Sequence, residues 1–354
     1  MNWLLVFVPV AIALHYLLPE ARTWTFVTAG LGIIPLAGLL GKATERLATA
    51  SGEGVGALLN ATFGNAAELI ISLAAIRAGL YDVVKASITG SIIGNILLVM
   101  GGAFLAGGMK HRIQRFNATA ARAQATTLTL AAVGLIMPAV YHHAGGNLAG
   151  AREADLSLEI ACVLLATYFL TLLFSLRTHK DLFMGRKGGE ESTEEPAGQH
   201  WSIPRSLAVM VGSTLLIAWL SDVLVSSVEE AARSFGITSI FVGVIVVAII
   251  GNAAEHSMAI LLARKNRMDL SFGIAIGSSI QIALLVAPLL VFASRVIGPL
   301  PMDLVFTPFE VVAIALAILI IEQTASDGES NWLEGVQLLS VYSILCLVFY
   351  FLPA

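Results

Sequence analysis

Eleven apolar stretches, each about 17 residues or longer and closed by a charged or Pro/Gly-rich joint, follow one another along the chain. In hydrocarbon every backbone N–H and C=O must find its partner inside the protein, so stretches of this length predict membrane-crossing helices. They run over 2–18, 22–41, 52–79, 83–107, 118–141, 155–177, 203–226, 236–264, 270–294, 305–323 and 332–352. Composition agrees: of 354 residues, 57% are hydrophobic and only 12% charged, where soluble domains average about 25% charged. A soluble domain is therefore excluded, and the expected fold is an all-α polytopic membrane protein. Twenty Lys and Arg against 24 Asp and Glu leave a net charge of −4, which argues against a nucleic-acid partner. Cys162 and Cys346 stand alone in apolar runs, so neither a disulfide framework nor a thiolate metal site is implied. The first stretch lacks a basic flank and an A-x-A site and reads as a retained helix rather than a cleaved signal peptide.

Trp3, Trp24, Trp201 and Trp332 fall near span ends, where an interfacial aromatic belt belongs. Joints after even-numbered spans hold 14 of the 20 Lys and Arg. By the positive-inside rule the N-terminus is cytoplasmic and, after eleven crossings, the C-terminus lies outside. The joint 179–202 differs from the rest. It has no apolar period and carries Gly185, Gly188, Gly189 and the run Glu190–Glu191–Ser192–Thr193–Glu194–Glu195. It reads as a solvated, acidic cytoplasmic linker, with a cation-sensing segment as the alternative.

The two sides of that linker resemble each other. A shift of 187 residues lays 55–99 on 242–286 without a gap, with 16 identities in 45 positions. Gly64-Asn65-Ala66-Ala67-Glu68 meets an identical Gly251-Asn252-Ala253-Ala254-Glu255, and Gly90-Ser91 meets Gly277-Ser278. The predicted organisation is an extra N-terminal helix (1–20), a first five-helix repeat (21–178), the linker, and a second five-helix repeat (203–354). Five is odd, so equivalent helices cross in opposite directions. Inverted repeats of this kind characterise secondary transporters, whose substrates bind near the midplane where the repeats meet.

Glu68 and Glu255 fall deep within their spans, where an unpaired carboxylate costs roughly 2.5–3.5 kcal/mol on the insertion scale. No Lys or Arg lies within a helical turn of either. The i,i+3 spacing places Asn65 beside Glu68 and Asn252 beside Glu255 on one helix face. Gly64 and Gly251 remove a side chain next to each pair and let a helix or a cation come close. Two carboxylates and two amide oxygens form an all-oxygen set suited to a hard divalent cation, Ca²⁺ better than Mg²⁺. Ser91 and Ser278 either line this site or merely allow tight packing. Asn95 and Gln281, not repeat-equivalent, are expected one layer behind. An empty site holds two negative charges, which one divalent cation or two protons cancel. That is a rule of exchange, cation against protons. A sodium-coupled exchanger would need further oxygen ligands, a channel would need a ring of subunits, and an enzyme lacks a nucleophile or His ligand set.

At these residues the chain resembles the calcium/proton antiporters (cation/proton exchangers) of the calcium/cation antiporter superfamily. The matching stretches are Leu59-Asn60-Ala61-Thr62-Phe63-Gly64-Asn65-Ala66-Ala67-Glu68 and Gly251-Asn252-Ala253-Ala254-Glu255-His256, with the Gly-Ser segments and the acidic joint. The resemblance implies an eleven-helix antiporter with Ca²⁺ and H⁺ as partners and no cofactor, in which Glu68 and Glu255 bind Ca²⁺ and protons in turn while the second and seventh helices slide. The short N-terminus suggests a prokaryotic cell membrane. Self-association is left open. Glu45, Glu229 and Glu230 are expected at helix ends, as a vestibule or simply solvated. His256 is turned about 100° from Glu255 and reads as packing, His142 and His143 read as solvated, and Asp222 has no partner that the sequence can name. Pro35, Pro138 and Pro288 fall within spans and should kink them.

Overall fold

The computed structural model describes residues 2–145, 152–179 and 201–352. The acidic run 190–195 and most of the linker lie outside the described residues. Nearly all the rest is helix: α1 (Phe7–Leu17, behind a 3-10 turn Asn2–Val6), α2 (Arg22–Ser51), α3 (Glu53–Phe63), α4 (Ala66–Arg77), α5 (Tyr81–Gly108), α6 (Ala118–Gly145), α7 (Glu153–Thr178), α8 (Ile203–Val225), α9 (Val228–Phe235), α10 (Ser239–Arg264), α11 (Met268–Ile297), α12 (Pro308–Thr324) and α13 (Trp332–Phe351). Eight of these, α2, α5, α6, α7, α8, α10, α11 and α13, are long and apolar enough to cross a membrane. α1 and α12 are shorter. The stretch 52–79, read as one span, is two helices with a turn at Gly64–Asn65.

Several boundaries moved for local reasons. α2 runs ten residues beyond the predicted end at 41, because Lys42, Glu45 and Arg46 are good helix formers and only Gly52, at φ 83°, stops it. Glu229 and Glu230 do not end α8. They open the separate amphipathic helix α9, which Gly236 closes in the left-handed conformation at φ 66°. α12 and α13 begin with capping boxes, Thr307 with Glu310 and Asn331 with Glu334, which satisfy otherwise orphaned first-turn amides. Pro35 and Pro138 lie inside α2 and α6, while Pro288 follows directly on a π turn of α11 (Ile282–Val286). A second π turn, Gly94–Val99 of α5, stands at the repeat-equivalent position, and a third, Val242–Val247, opens α10.

The ends of the bundle sort by joint. Thr23 at the start of α2 bonds Ser234 in α9, and Arg46 near its other end donates to the Trp201 carbonyl just before α8. α2 and α8 therefore pack antiparallel. The joints after the fourth and tenth predicted spans form a short antiparallel ladder, β1 (Gln114–Arg115) with β2 (Glu329–Ser330), and Asn117 N–H donates to Asp269 at 2.6 Å. At the opposite end Tyr81 bonds the Leu300 carbonyl, and Arg295 reaches the Ala154 carbonyl. Joints after even-numbered spans thus share one end of the molecule and joints after odd-numbered spans the other. The outward faces are apolar, with Leu215, Leu170 and Val163 all more than 60% exposed. Trp3, Trp24 and Trp332 are exposed as well.

Between apolar helices in lipid, close packing rather than water exclusion holds the bundle together. One very tight crossing is that of α5 on the π turn of α10. A β-carbon on Gly90 would overlap the Val244 carbonyl, and one on Gly243 would stand 2.6 Å from Ala86 Cβ. Gly90→Ala is therefore expected to destabilise the protein by about 1–3 kcal/mol, read as a lowered unfolding temperature in detergent. An unchanged temperature would show that this crossing is looser than described.

Candidate cation-binding site

α4 and α10 cross at their acidic boxes, and they do so reciprocally. Gly251 faces Glu68, whose Cβ lies 3.4 Å from the place of a glycine β-carbon. Gly64 faces Glu255, whose Oε1 lies 3.6 Å from the corresponding point. Each glycine gives its missing side chain to the glutamate of the other half. Glu68 is 1% exposed and accepts hydrogen bonds from Ser91 and, at 3.5 Å, from Asn252 Nδ2. Asn252 Nδ2 also contacts Ser91 Oγ at 3.0 Å. The mirror of this link is present: Ser278 Oγ donates to Asn65 Oδ1 at 2.9 Å. Asn65 Nδ2 then donates to Gln281 Oε1 at 2.7 Å. Glu255 is half-buried, and its enclosed Oε2 has no hydrogen-bond partner.

The asparagines correct the sequence reading. Asn65 is not within the same helix as Glu68: the turn at Gly64–Asn65 leaves it just ahead of α4, at φ −99° and ψ 22°. It serves the second half through Ser278 and Gln281. Asn252, within continuous α10, serves the first half through Ser91 and Glu68. Gln281 accepts from Asn65 Nδ2 and bonds neither glutamate among the described residues. Asn95 takes His256 instead, at 3.1 Å from Nε2, so that histidine has a polar partner and is not packing alone. The identical Gly251-Asn252 lies within a continuous helix, so the Gly-Asn pair alone did not signal the break. Glu45 and Glu230 are exposed near opposite ends of α2 and bond neither box among the described residues. Asp222 pairs with Arg77 at 3.1 Å, and His142 with Glu153 at 2.6 Å.

The two boxes match in sequence but not in surroundings. At the α10 end, the π turn seals against Gly90 of α5. Among the described residues the repeat-equivalent contact of α3 with α11 is not made: Gly56 packs on the Ala48 backbone of α2, and Gly273 and Gly277 have no described atom within 4 Å of their missing β-carbons. Among the described residues the side of the α4–α5 turn is tightly packed, while Asn60 and Gly64 on the side of α3 are exposed. Among the described residues no Lys or Arg bonds either glutamate, and no group of three or more His, Cys, Asp or Glu is present. The donors are two carboxylates with amide and hydroxyl oxygens.

Buried acids carried on interrupted and bulged helices, where two similar halves cross, define a secondary transporter rather than an enzyme or a ring-built pore. The family model described as "Sodium/calcium exchanger protein" matches over residues 22–177 and 205–351, one stretch in each half. The chain is 44% identical to a "Ca(2+)/H(+) antiporter" of Aphanothece halophytica, over 99% of this chain and 96% of that protein. It is 43% identical to "Ca(2+)/H(+) antiporter ChaA" of Bacillus subtilis, over 90% of each. Among solved structures, native YfkE superposes with a TM-score of 0.83 at 38% identity, covering 98% of both chains. The chain belongs to the sodium/calcium exchanger protein family, in its calcium/proton antiporter branch, and is an integral membrane protein.

Proposed function

We propose that this protein exchanges Ca²⁺ for H⁺ across a prokaryotic cell membrane by alternating access, with Glu68 and Glu255 holding the cation and the protons in turn. The observation that carries the reading is the reciprocal crossing, which encloses two carboxylates and no bonded basic side chain. Their charge has to be cancelled by something mobile. Two carboxylates, Asn65 and Asn252 with Ser91, Ser278 and Gln281 give a hard, irregular oxygen set that suits Ca²⁺. Only two of these donors are charged, which favours release over permanent retention. The same two charges are cancelled by two protons, so either cargo yields a neutral site that can cross the low-dielectric interior.

The architecture is eleven crossings, one helix plus two inverted five-helix repeats, with α3 and α4 together making the third crossing. The antiparallel packing of α2 against α8 and the sorting of joints by parity support it. With the Lys- and Arg-rich end in the cytoplasm, the N-terminus is inside, the C-terminus outside, and the exposed α3 side of the site faces the cytoplasm. The two vestibules then carry Glu45 inside and Glu230 outside.

Reconstituted vesicles test the assignment. A pH gradient alone is expected to drive Ca²⁺ uptake, and a sodium gradient at uniform pH is expected to give none. Uptake driven only by sodium would reject the proton assignment, and uncoupled downhill flux would mean a channel.

A further inference from the structure

The joint between α5 and α6 and the joint between α10 and α11 are far apart in the chain, and the fold clamps them into one surface. Gln114, 1% exposed, donates through Nε2 to the Ala263 carbonyl at 2.8 Å and to Asn266 Oδ1 at 2.9 Å. Asn266, left-handed at φ 60°, turns α10 into α11. His111 Nε2 lies 3.4 Å from the Arg264 carbonyl, and the Asn117 N–H holds Asp269. The clamp gathers Lys110, Arg112 and Arg115 with Arg264, Lys265 and Arg267, all of them exposed. With Arg122 they make up seven of the 14 Lys and Arg in the joints of that end. Arg115 pairs with Glu329, and Arg122 donates to the Ser326 carbonyl. The other five form no ion pair among the described residues.

The fold itself does not require this charge in one place. The shift of 187 lays Lys265, Asn266 and Arg267 on Ala78, Gly79 and Leu80, an uncharged turn that joins α4 to α5 at the other end of the bundle. Apolar side chains are exposed among the cations. Met109 and Ile113 flank Lys110 and Arg112, while Leu261 and Leu270 flank the other joint, each more than 40% exposed. Trp332, 52% exposed, rests its backbone on Gly108 beside them, and an indole so placed sits at headgroup level. Exposed cations interleaved with exposed apolar groups fit the boundary where lipid headgroups meet acyl chains. A free anion would satisfy the charges and leave the apolar groups in water.

We propose that this surface binds the headgroups of anionic phospholipids in the cytoplasmic leaflet. The choice of leaflet rests on the orientation proposed above; the binding itself does not. Clusters of about four to eight Lys and Arg at the ends of membrane helices attract anionic lipid. Arg112, Arg264 and Arg267 offer planar forks that take two phosphate oxygens at once, and Lys110 and Lys265 add compact charges. Attraction between exposed charges fades over about 8 Å in physiological salt. Cations scattered over five joints would therefore act singly, whereas the clamp lets these five act on the same headgroups. The helix ends held there are those of α5, α6, α10 and α11. Three of these carry groups of the candidate site, Ser91, Asn252 with Glu255, and Ser278 with Gln281, while α2 and α8 contribute no residue to the clamp.

The test follows thermal unfolding of the purified protein in dodecyl maltoside as lipid is titrated in. Phosphatidylglycerol is expected to raise the unfolding temperature, since a ligand of the folded state stabilises it, and phosphatidylcholine with the same acyl chains is expected to do so far less. In Lys110→Gln/Arg112→Gln/Lys265→Gln/Arg267→Gln, the phosphatidylglycerol needed for half of the shift is expected to rise about tenfold or more. Sodium chloride at about 0.5 M is expected to weaken the wild-type response in the same direction. The exchanged set Lys110→Arg/Arg112→Lys/Lys265→Arg/Arg267→Lys keeps the charge and is expected to respond near wild type. If the glutamine protein does not insert, Lys265→Gln/Arg267→Gln is read the same way. Equal stabilisation by both lipids, no shift from either, or an undiminished response in the glutamine protein overturns the proposal. An equal shift from inorganic phosphate alone would mean a small-anion site and overturns it too. No transport is measured, so the result stands apart from the Ca²⁺/H⁺ reading.

Discussion

Glu68→Gln and Glu255→Gln are each expected to reduce Ca²⁺ exchange to background in vesicles, while the protein still inserts and elutes as the wild type does. Glutamine keeps the shape of the side chain, and at position 68 its capacity to accept from Ser91, so the reciprocal crossing at Gly64 and Gly251 is preserved. What is lost is one of two negative charges. With Ca²⁺ bound, the variant site carries a net positive charge in a medium where an uncompensated charge costs roughly 2.5–3.5 kcal/mol or more. By the rate arithmetic that alone is about a hundredfold. One proton now neutralises the empty site, so the exchange stoichiometry is broken as well. Substantial exchange surviving either substitution would remove that glutamate from the site.

The second large effect concerns the α3 side. Gly277→Val is expected to leave the unfolding temperature near wild type, because among the described residues nothing lies within 4 Å of the missing β-carbon. It is nevertheless expected to cut exchange by about a hundredfold. The reason is the mirrored contact. Gly90 at the repeat-equivalent position admits the Val244 carbonyl of α10 to a distance that no side chain would permit. If the site closes on its α3 side by the same packing, Gly277 must admit the backbone of α3 near Gly56, and a branched side chain blocks that approach. A cysteine placed at exposed Asn60, with Cys162 and Cys346 replaced by alanine, reports on the result. In the Gly277→Val protein it should remain reactive toward a membrane-impermeant thiol reagent whether or not Ca²⁺ is supplied. Wild-type turnover in the valine protein would mean that the two sides do not close alike.

Much of the site was readable from residue types and spacing. Two acids in apolar spans, each behind Gly-Asn, with the same neighbours at one fixed offset, leave few chemical uses open. The errors are instructive because they arise at one kind of place. The continuous helix assumed over 52–79 is broken at Gly64–Asn65, and hydropathy could not reveal the break, since a turn within a membrane needs no polar run when neighbouring helices satisfy its backbone. The link of each asparagine to the serine of the other half was invisible for a similar reason: periodicity describes one helix at a time.

Hydrophobic length, charge placement and the internal repeat were properties of the chain alone, and they sufficed for a helical membrane protein with paired acids in its interior. Each depends on transfer between water and hydrocarbon, which acts residue by residue along one segment. The tertiary structure alone decided which donor faces which acid, where the third crossing breaks, and which of two equivalent glycine contacts is made. Those outcomes depend on close contact between segments nearly two hundred residues apart, where two identical motifs occupy different surroundings.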